Sequence, residues 1–358
     1  MDPVTADERS QRPAPVSVPS ASAEPLLTVE QLTVEYRGET RTVVAANDVS
    51  FSIGSGEIFG LAGESGCGKS TVANTIMKLL RDPAHIASGA IRFRGQDVLA
   101  LEGEALRDFR WREVAMVFQS AMNSLNPVIT VGEQIMDVFA AHGQPNKRRA
   151  RERAAELLEL VGIPPDRLRS YPHQLSGGMR QRVVIAIAIA LNPALLIMDE
   201  PTTALDVVVQ QEIMQQIQAL QAELGFAVLF ITHDISLMVE LSHRMAVMYG
   251  GRLVEMSEAS QVFAEPRHPY TRALMNAFPP LTGPRTHLTG LSDAPAEADG
   301  SPASIGFDPL AIPDLVEVRP GHWVAPAQGD APRVEPVDRT ETDETSATPT
   351  PLPGRSDS

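Results

Sequence analysis

The sequence predicts a layered α/β fold, and three observations lead to that prediction. Apolar segments with strand character alternate along the chain with segments of helical periodicity. Leu195–Met198 and Val228–Thr232 are almost wholly apolar and each ends in polar residues, which is typical of buried parallel strands. Glu57–Ala62 resembles a third such strand and runs into a glycine-rich loop, which a helical segment, Ser70–Leu80, follows. Functional groups in such folds gather at the carboxyl ends of the strands.

The other elements follow from the same patterns in chain order. Leu26–Tyr36 and Val49–Ile53 predict early strands around a turn at 37–40. Arg148–Val161 carries apolar residues at helical spacing and predicts an amphipathic helix. Val183–Leu191 is continuously apolar and is followed by Asn-Pro, which predicts a buried helix that ends there.

Acidic residues are concentrated at the two ends of the chain. The net charge of the 358 residues is −15, of which residues 1–25 contribute −2 and residues 285–358 contribute −8. Both ends are rich in Pro, Ser and acidic residues, which predicts a disordered lead at 1–25 and a mostly disordered extension at 281–358. Within that extension, 305–325 is less polar and predicts either a short strand pair or an apolar disordered segment. The folded core is then 26–280.

Composition excludes several classes of protein. The single cysteine excludes a disulfide within the chain, a cysteine-rich zinc site and a chain-held iron–sulfur cluster. No stretch reaches about 18 consecutive apolar residues, so no membrane-spanning helix is predicted. The polar, acidic N-terminus lacks the pattern of a signal peptide, and a soluble cytoplasmic protein is expected. The acidic excess argues against nucleic acid as a partner.

Residues 63–70 fit the phosphate-loop pattern GxxxxGK[ST] at every fixed position. Glycines let backbone N–H groups surround phosphates, and the following helix N-terminus adds a positive dipole. Lys69 is predicted to reach the β- and γ-phosphates of a bound nucleotide, and Ser70 to bind Mg²⁺. The candidate nucleotide-binding residues here are Gly63, Glu64, Ser65, Gly66, Cys67, Gly68, Lys69, Ser70 and Thr71. Cys67 is either a small filler of the loop or a reactive thiol beside the nucleotide.

A second acidic element ends the strand-like segment Leu195–Met198. Asp199 is predicted to hold the metal ion through water, and Glu200 to activate the attacking water as a general base. A strand that ends in Asp-Glu is common by itself, but its pairing with a phosphate loop makes the pattern specific.

A third element, Leu175–Arg182, places Ser176, Gly177 and Gly178 at the start of a helix. This is a second anion-binding helix N-terminus, or else a simple helix cap. One triphosphate does not need two such ends, so the simplest account is that this end serves the nucleotide of a second subunit. At this point the chain resembles the ATP-binding cassette (ABC) ATPases, whose signature motif completes the partner's ATP site in a head-to-tail dimer. The resemblance covers about residues 26–280.

The resemblance implies a P-loop NTPase cassette with a RecA-like α/β core, an antiparallel β subdomain and an α-helical subdomain at about 120–190. It also implies roles for residues that match the family's other motifs. Tyr36 would stack on adenine, unless it is an ordinary strand aromatic. Gln119 would sense Mg²⁺ and the attacking water, and Asp206 would contact the partner subunit. His233 would touch the γ-phosphate, although a histidine after a strand is more often structural.

Four segments narrow the resemblance to the branch of oligopeptide, dipeptide and nickel importers; they are residues 118–127, 171–183, 200–207 and 268–274. The branch implies an ATP-hydrolysing subunit of a bacterial importer at the cytoplasmic face of the plasma membrane. Its partners would be two integral membrane permeases, a second ABC ATPase subunit and, indirectly, an extracytoplasmic solute-binding protein. A heterodimer is favoured over a homodimer. Peptide is the default substrate, with nickel, a sugar oligomer or a siderophore left open.

Ala121–Ile135 is the candidate docking surface for a permease coupling helix, the alternative being an ordinary loop. The extension departs from the branch, because members often carry several cysteines there, some of which hold an iron–sulfur cluster, and here none remains. A soluble ABC ATPase acting on nucleic acid or ribosomes is the alternative function, and a non-catalytic regulator the third. The single cassette and the acidic excess argue against an ATPase that acts on nucleic acid or ribosomes. The presence of Glu200 and His233 argues against a non-catalytic regulator.

Overall fold

The computed structural model describes residues 24–119, 123–143, 146–202, 205–276 and 312–326. The predicted disordered lead and most of the predicted extension lie outside these ranges. The strands are Leu27–Arg37 (β1), Thr42–Ile53 (β2), Ile58–Ala62 (β3), Ala84–Phe93 (β4), Gln96–Asp97 (β5), Val114–Val117 (β6), Leu195–Asp199 (β7), Ala227–Ile231 (β8), Arg244–Tyr249 (β9), Arg252–Glu258 (β10), Val316–Arg319 (β11) and His322–Val324 (β12). The α-helices are Lys69–Ile76 (α1), Gly103–Asp108 (α2), Val131–Ala141 (α3), Lys147–Leu160 (α4), Gly177–Ala188 (α5), Val207–Leu224 (α6), Ile235–Leu241 (α7), Ala259–Ala264 (α8) and Pro269–Asn276 (α9).

The larger sheet has the strand order β11-β12-β10-β9-β3-β8-β7-β6. Strands β9, β3, β8, β7 and β6 pair in parallel, whereas β10, β12 and β11 add antiparallel pairs at one edge. Every residue of β3, β7 and β8 is buried, because helices and the second sheet cover both faces. The predicted buried parallel strands are therefore confirmed.

The smaller sheet is antiparallel, with the order β2-β1-β4-β5. It packs against the larger sheet through apolar side chains, and Phe51 on β2 stacks on Phe59 of β3 with 5.2 Å between ring centroids. Arg244 lies over the same Phe59 ring and forms an ion pair with Glu57, so a cation–π contact adds to the aromatic stacking at this point. This is the expected antiparallel β subdomain.

The helices α3, α4 and α5 share one apolar core, in which Ile135, Leu157 and Leu158 are fully buried. Thr130 begins α3 with a reciprocal cap, since its Oγ1 accepts from Glu133 N (3.3 Å) and its own N–H donates to the Glu133 carboxylate (2.8 Å). No helix in the described part of the chain has the length and apolarity needed to cross a membrane.

Two predicted helices differ from the structure at their ends. The helix predicted over Ser70–Leu80 ends at Ile76, because Lys78 adopts a left-handed backbone with φ +50°. Arg110 then donates to the free carbonyls of Met77 and Lys78, which satisfies the end of the helix. The helix predicted over Val183–Leu191 is the second half of α5, which ends at Ala188.

The extension contains a hairpin, in which β11 and β12 pair and β12 pairs with β10 through Glu255↔Val324 and Met256↔Trp323. Of the two interpretations offered for 305–325, the strand pair is the one observed, while 305–311 lie outside the described residues.

Leu157→Ala should destabilise the protein by about 2–5 kcal/mol, because the change leaves a cavity between the helices. Leu157 is 0% exposed, whereas Leu224 at the end of α6 is 36% exposed. Leu224→Ala is the matched control and should change the free energy of unfolding by about 0.5 kcal/mol. Urea unfolding followed by circular dichroism measures both variants, and equal midpoint shifts would contradict the helical core described here.

Candidate nucleotide-binding site

The loop 63–68 joins β3 to α1 and lies too close to neighbouring backbone to carry side chains at two positions. A Cβ on Gly63 (φ +146°) would lie 2.2 Å from Met248 O, and one on Gly68 (φ +108°) would lie 2.0 Å from Ala45 O. Both positions therefore require glycine for space as well as for backbone conformation. Of the three glycines predicted to form the phosphate cradle, Gly63 and Gly68 are thus required by the packing of this loop, whereas Gly66 has open space around it.

Lys69 is buried, and its ammonium Nζ donates to two carbonyls of its own loop, Gly63 O at 2.7 Å and Glu64 O at 2.8 Å. Gly68, which precedes α1, has no side chain to cap the helix, so the N–H groups of the first turn are left for an anion. A cation and a helix N-terminus therefore meet at one loop, an arrangement that fits a phosphate group.

The Ser70 hydroxyl donates to Asp199 Oδ1 at 3.0 Å, which brings together two of the three residues predicted at the metal, the third being Gln119. Asp199 is buried, and that burial raises the pKa of its carboxyl, against the opposing effect of the Ser70 bond. In the described ranges, no cluster of three or more His, Cys, Asp or Glu side chains could hold a metal ion. One carboxylate and one hydroxyl fit Mg²⁺, which is usually held by one or two protein oxygens, phosphates and water.

Three neighbouring strands, β6, β7 and β8, carry the predicted catalytic residues at their carboxyl ends. Gln119 Nε2 donates to Glu200 Oε2 at 2.9 Å, and His233 Nδ1 lies 3.6 Å from Glu200 Oε1. Glu200 has a positive φ of +45°, and its N–H donates to Ile231 O at 2.9 Å. Strained backbone of this kind concentrates at functional sites. The structure therefore brings Gln119, Glu200 and His233 into one cluster.

Tyr36 and Thr71 lie beside the loop 63–68, with their hydroxyl oxygens 3.4 Å apart. Ser65 and Gly66 are exposed at its tip. Cys67 is 8% exposed, and burial raises the pKa of its thiol despite Lys69 Nζ at 3.6 Å. A buried neutral thiol supports the filler interpretation, since the thiolate is the reactive form.

Ser176, Gly177, Gly178 and Asp206 form a separate group at the starts of α5 and α6. Ser176 Oγ accepts from Met179 N (3.3 Å) and Asp206 Oδ1 accepts from Val209 N (3.0 Å), so each residue caps its helix. Gly178 packs directly on Val209, since a Cβ there would lie 2.7 Å from its side chain. Among described residues, no hydrogen bond joins this group to the loop 63–71.

Sequence reasoning missed one contact to the loop. The Tyr270 hydroxyl on α9 accepts from Glu64 N at 3.2 Å. The two residues are 206 positions apart, so no local pattern could have paired them. In the sequence, the segment 268–274 indicates only a resemblance to the importer branch.

Known proteins match this chain over most of its length. The family model described as ABC transporter matches residues 46–203, and the model described as oligopeptide/dipeptide transporter, C-terminal region, matches residues 254–307. A probable peptide ABC transporter ATP-binding protein of Sinorhizobium fredii is 43% identical over 317 residues, which are 85% of this chain and 95% of the relative. The chain belongs to the ABC transporter family. Within that family, the oligopeptide transport ATP-binding protein OppD of Bacillus subtilis is 40% identical and covers 87% of this chain and 91% of its own.

Two further ABC proteins agree with this assignment. The dipeptide transport ATP-binding protein DppD of Escherichia coli is 45% identical, over 74% of this chain and 82% of its own. The cassette MJ0796, solved as a dimer in a post-hydrolysis state with ADP and Pi, superposes with a TM-score of 0.58 at 29% identity, over 65% of this chain and 98% of its own. The resemblance inferred from the motifs and the expected cassette fold are confirmed.

The protein is therefore a nucleotide-binding ATPase subunit of an ABC transporter, and it works with membrane permease components. The resemblance carried by the motifs therefore predicted the class of this subunit correctly.

Cys67 should react slowly with a thiol reagent in the folded protein, because its thiol is buried and its pKa is raised. Since the chain has one cysteine, the labelled fraction reports this residue alone. Ellman's reagent at neutral pH should modify the urea-unfolded chain at least about tenfold faster than the folded chain. Rapid labelling of the folded chain would support the reactive-thiol alternative.

Proposed function

We propose that this chain binds ATP with Mg²⁺ and hydrolyses it to ADP and phosphate in order to drive peptide uptake through partner permeases. The observation that carries the proposal is the cluster of Gln119, Glu200 and His233 at the carboxyl edge of the larger sheet, where Ser70 of α1 also bonds to Asp199 of β7. The peptide substrate is supported by the names of similar proteins, which are described as peptide, oligopeptide and dipeptide transport subunits.

Phosphate binding depends on groups at the end of the loop and at the start of α1. The N–H groups at the start of α1 and the Lys69 ammonium neutralise the phosphates. Ser70 and Asp199 are the side chains that would hold Mg²⁺, which supplies charge neutralisation on the phosphate oxygens. Tyr36, beside Thr71, is the aromatic residue assigned to the adenine base.

In hydrolysis, Glu200 takes a proton from the attacking water as general base. Gln119 donates to one oxygen of that carboxylate, and His233 lies on the side of the other, so the orientation of Glu200 is fixed between them. His233 is 56% exposed, which leaves its ring free to meet the γ-phosphate. Catalysis by such a group rests on positioning and charge stabilisation.

The group of Ser176, Gly177, Gly178 and Asp206 is assigned to the ATP of a second cassette. Ser176 and Asp206 cap their own helices, and in the described ranges no hydrogen bond joins the group to this chain's loop, which supports a role across a subunit interface. Val207 and Val208, at the start of α6, are 71% and 66% exposed, as expected for residues that a partner covers. The partner cassette is a different chain.

The permeases dock on the segment Ala121–Ile135, of which residues 121 and 122 lie outside the described part. Val128 is 76% exposed there, and Phe118 just before it is 45% exposed. Exposed apolar side chains of this kind mark protein contacts. The subunit then sits on the cytoplasmic face of the plasma membrane, and an extracytoplasmic solute-binding protein delivers the peptide.

Glu200→Gln should bind ATP and lose about 10²- to 10⁴-fold in ATPase rate, since the amide cannot accept the proton of water. Glu223→Gln makes the same substitution at an exposed position on α6 and should leave the rate unchanged. Phosphate release from the chain copurified with its partner cassette measures both variants. A Glu200→Gln protein with near-normal turnover would remove Glu200 from the role of base.

The Glu200→Gln chain alone, with ATP and Mg²⁺, should remain near its monomer mass of 38.6 kDa in light scattering. The same chain co-expressed with the cassette encoded beside it should elute as a complex of both. A stable dimer formed by the chain alone would contradict the preference for a heterodimer. Peptide uptake by the assembled transporter tests the substrate class.

A further inference from the structure

The peptide unit between Gly63 and Glu64 is held from both sides. Its carbonyl, Gly63 O, accepts from Lys69 Nζ at 2.7 Å, and its N–H donates to the Tyr270 hydroxyl at 3.2 Å. The carbonyl and N–H of a trans peptide point in opposite directions, so these two bonds together determine the orientation of the plane. Gly63, which supplies the carbonyl, has a φ of +146°, and glycine restricts its backbone angles less than any other residue, so hydrogen bonds contribute to the orientation of this peptide.

Tyr270 is well placed to hold this peptide. It is fully buried, and its ring packs against Tyr249 with 4.4 Å between centroids. Burial raises the pKa of the Tyr270 hydroxyl, so it remains a neutral acceptor at physiological pH. Tyr249 has a buried hydroxyl with no hydrogen-bond partner among the described residues. The two tyrosines therefore differ chiefly in the bond to Glu64.

The helix that carries Tyr270 is held at its start by Glu255 on β10. Glu255 Oε1 accepts from Arg267 N at 2.8 Å, and Oε2 accepts from His268 N at 2.9 Å. Bonds from backbone N–H groups to a carboxylate are stronger than neutral ones. They fix the two residues that lead into α9, and Tyr270 is the second residue of that helix.

The C-terminal extension supplies a further partner of Glu255. The distance between His322 Nε2 on β12 and Glu255 Oε1 is 2.8 Å. The side chains of His322 and Glu255 are 2% and 0% exposed. A buried carboxylate that loses a partner is strongly destabilised, so its geometry depends on His322. His322 and Glu255 thus connect the extension to the start of α9.

We propose that Tyr270 is a positioning residue for the phosphate loop, and that the extension hairpin holds it in place through His322 and Glu255. The proposal rests on the proposed function, in which this loop binds ATP. The effect falls on nucleotide binding, because without the Tyr270 bond the Gly63–Glu64 peptide is held only at its carbonyl and its N–H must be ordered again when the phosphates bind. The turnover rate is spared, since Gln119, Glu200 and His233 lie on other strands.

The test compares Tyr270→Phe with Tyr249→Phe in the full chain, with Kd and loop exchange measured on the chain alone and KM and kcat on the chain copurified with its partner cassette. Each change removes one buried hydroxyl and keeps the ring, but only Tyr270→Phe removes the bond to Glu64. Tyr270→Phe should raise Kd and KM for ATP with Mg²⁺ by about two- to tenfold with kcat unchanged, which is the loss of one net hydrogen bond. Amide exchange of the loop peptide containing Glu64, without nucleotide, should accelerate by about the same factor. Tyr249→Phe should leave all of these at the wild-type values.

Equal ATP affinity and equal loop exchange in the two variants would overturn the proposal. If the wild-type chain itself does not bind ATP, the proposed function fails, but the exchange measurement still decides whether Tyr270 holds the loop. Thermal midpoints of the two variants control for a general loss of stability.

A second pair tests the link through the extension and also serves if Tyr270→Phe does not fold. His322→Gln keeps a nitrogen donor near the position of Nε2, whereas His322→Leu leaves that side of Glu255 without a donor. His322→Leu should weaken ATP binding and accelerate loop exchange in the same direction as Tyr270→Phe, and His322→Gln should restore both. Loop exchange and ATP binding that are the same in both His322 variants would show that the extension has no part in positioning the loop.

Discussion

The close approach of the phosphate loop to the backbones of both sheets is the constraint on which the rest of the site depends. Gly63 lies against Met248 of β9, and Gly68 lies against Ala45 of β2. Backbone bonds extend the contact, because Gly251 N donates to Cys67 O (3.2 Å) and Asn47 N donates to Gly251 O (2.8 Å). The loop is therefore fixed between the two sheets. Since β3 leads into it, its position relative to Asp199 and Glu200 follows from the pairing of β3, β8 and β7.

Much of this arrangement could be predicted from the sequence, because it depends on local pattern. The carboxyl ends of parallel strands lie at one edge of the sheet. One strand here ends in Asp-Glu, another is followed by a histidine and a third by a glycine-rich loop, so these groups must lie at the same edge. That reasoning requires only that the strands be parallel and neighbouring. The contact of Tyr270 with Glu64 could not be found in this way, because it depends on how a helix far along the chain packs behind the loop. The early end of α1 depends likewise on Arg110, a residue outside the helix.

Charge in this protein acts locally, although the chain as a whole is acidic. Two-thirds of its net charge lies in segments 1–25 and 285–358, largely outside the described structure. At the site, a buried lysine, a helix N-terminus and a buried aspartate lie within one loop and one strand end. Low-dielectric surroundings strengthen each of these interactions relative to the same pair on the surface. The acidity of the termini therefore has little bearing on how the loop meets an anion.

The extension illustrates how a segment without cysteine clusters can still be anchored. Its hairpin continues the larger sheet from β10, which pairs the backbone groups of β10 and makes β11 the edge strand. The Arg319–Glu265 pair is exposed on both sides, and the Arg252–Asp314 pair is exposed at its aspartate, so each contributes little individually. The His322–Glu255 pair is different, because both groups are buried and Glu255 also binds the backbone before α9. A buried pair adds modest net stability but accepts few alternative arrangements. Its contribution is therefore one of geometry, which is what a helix that contacts the phosphate loop requires.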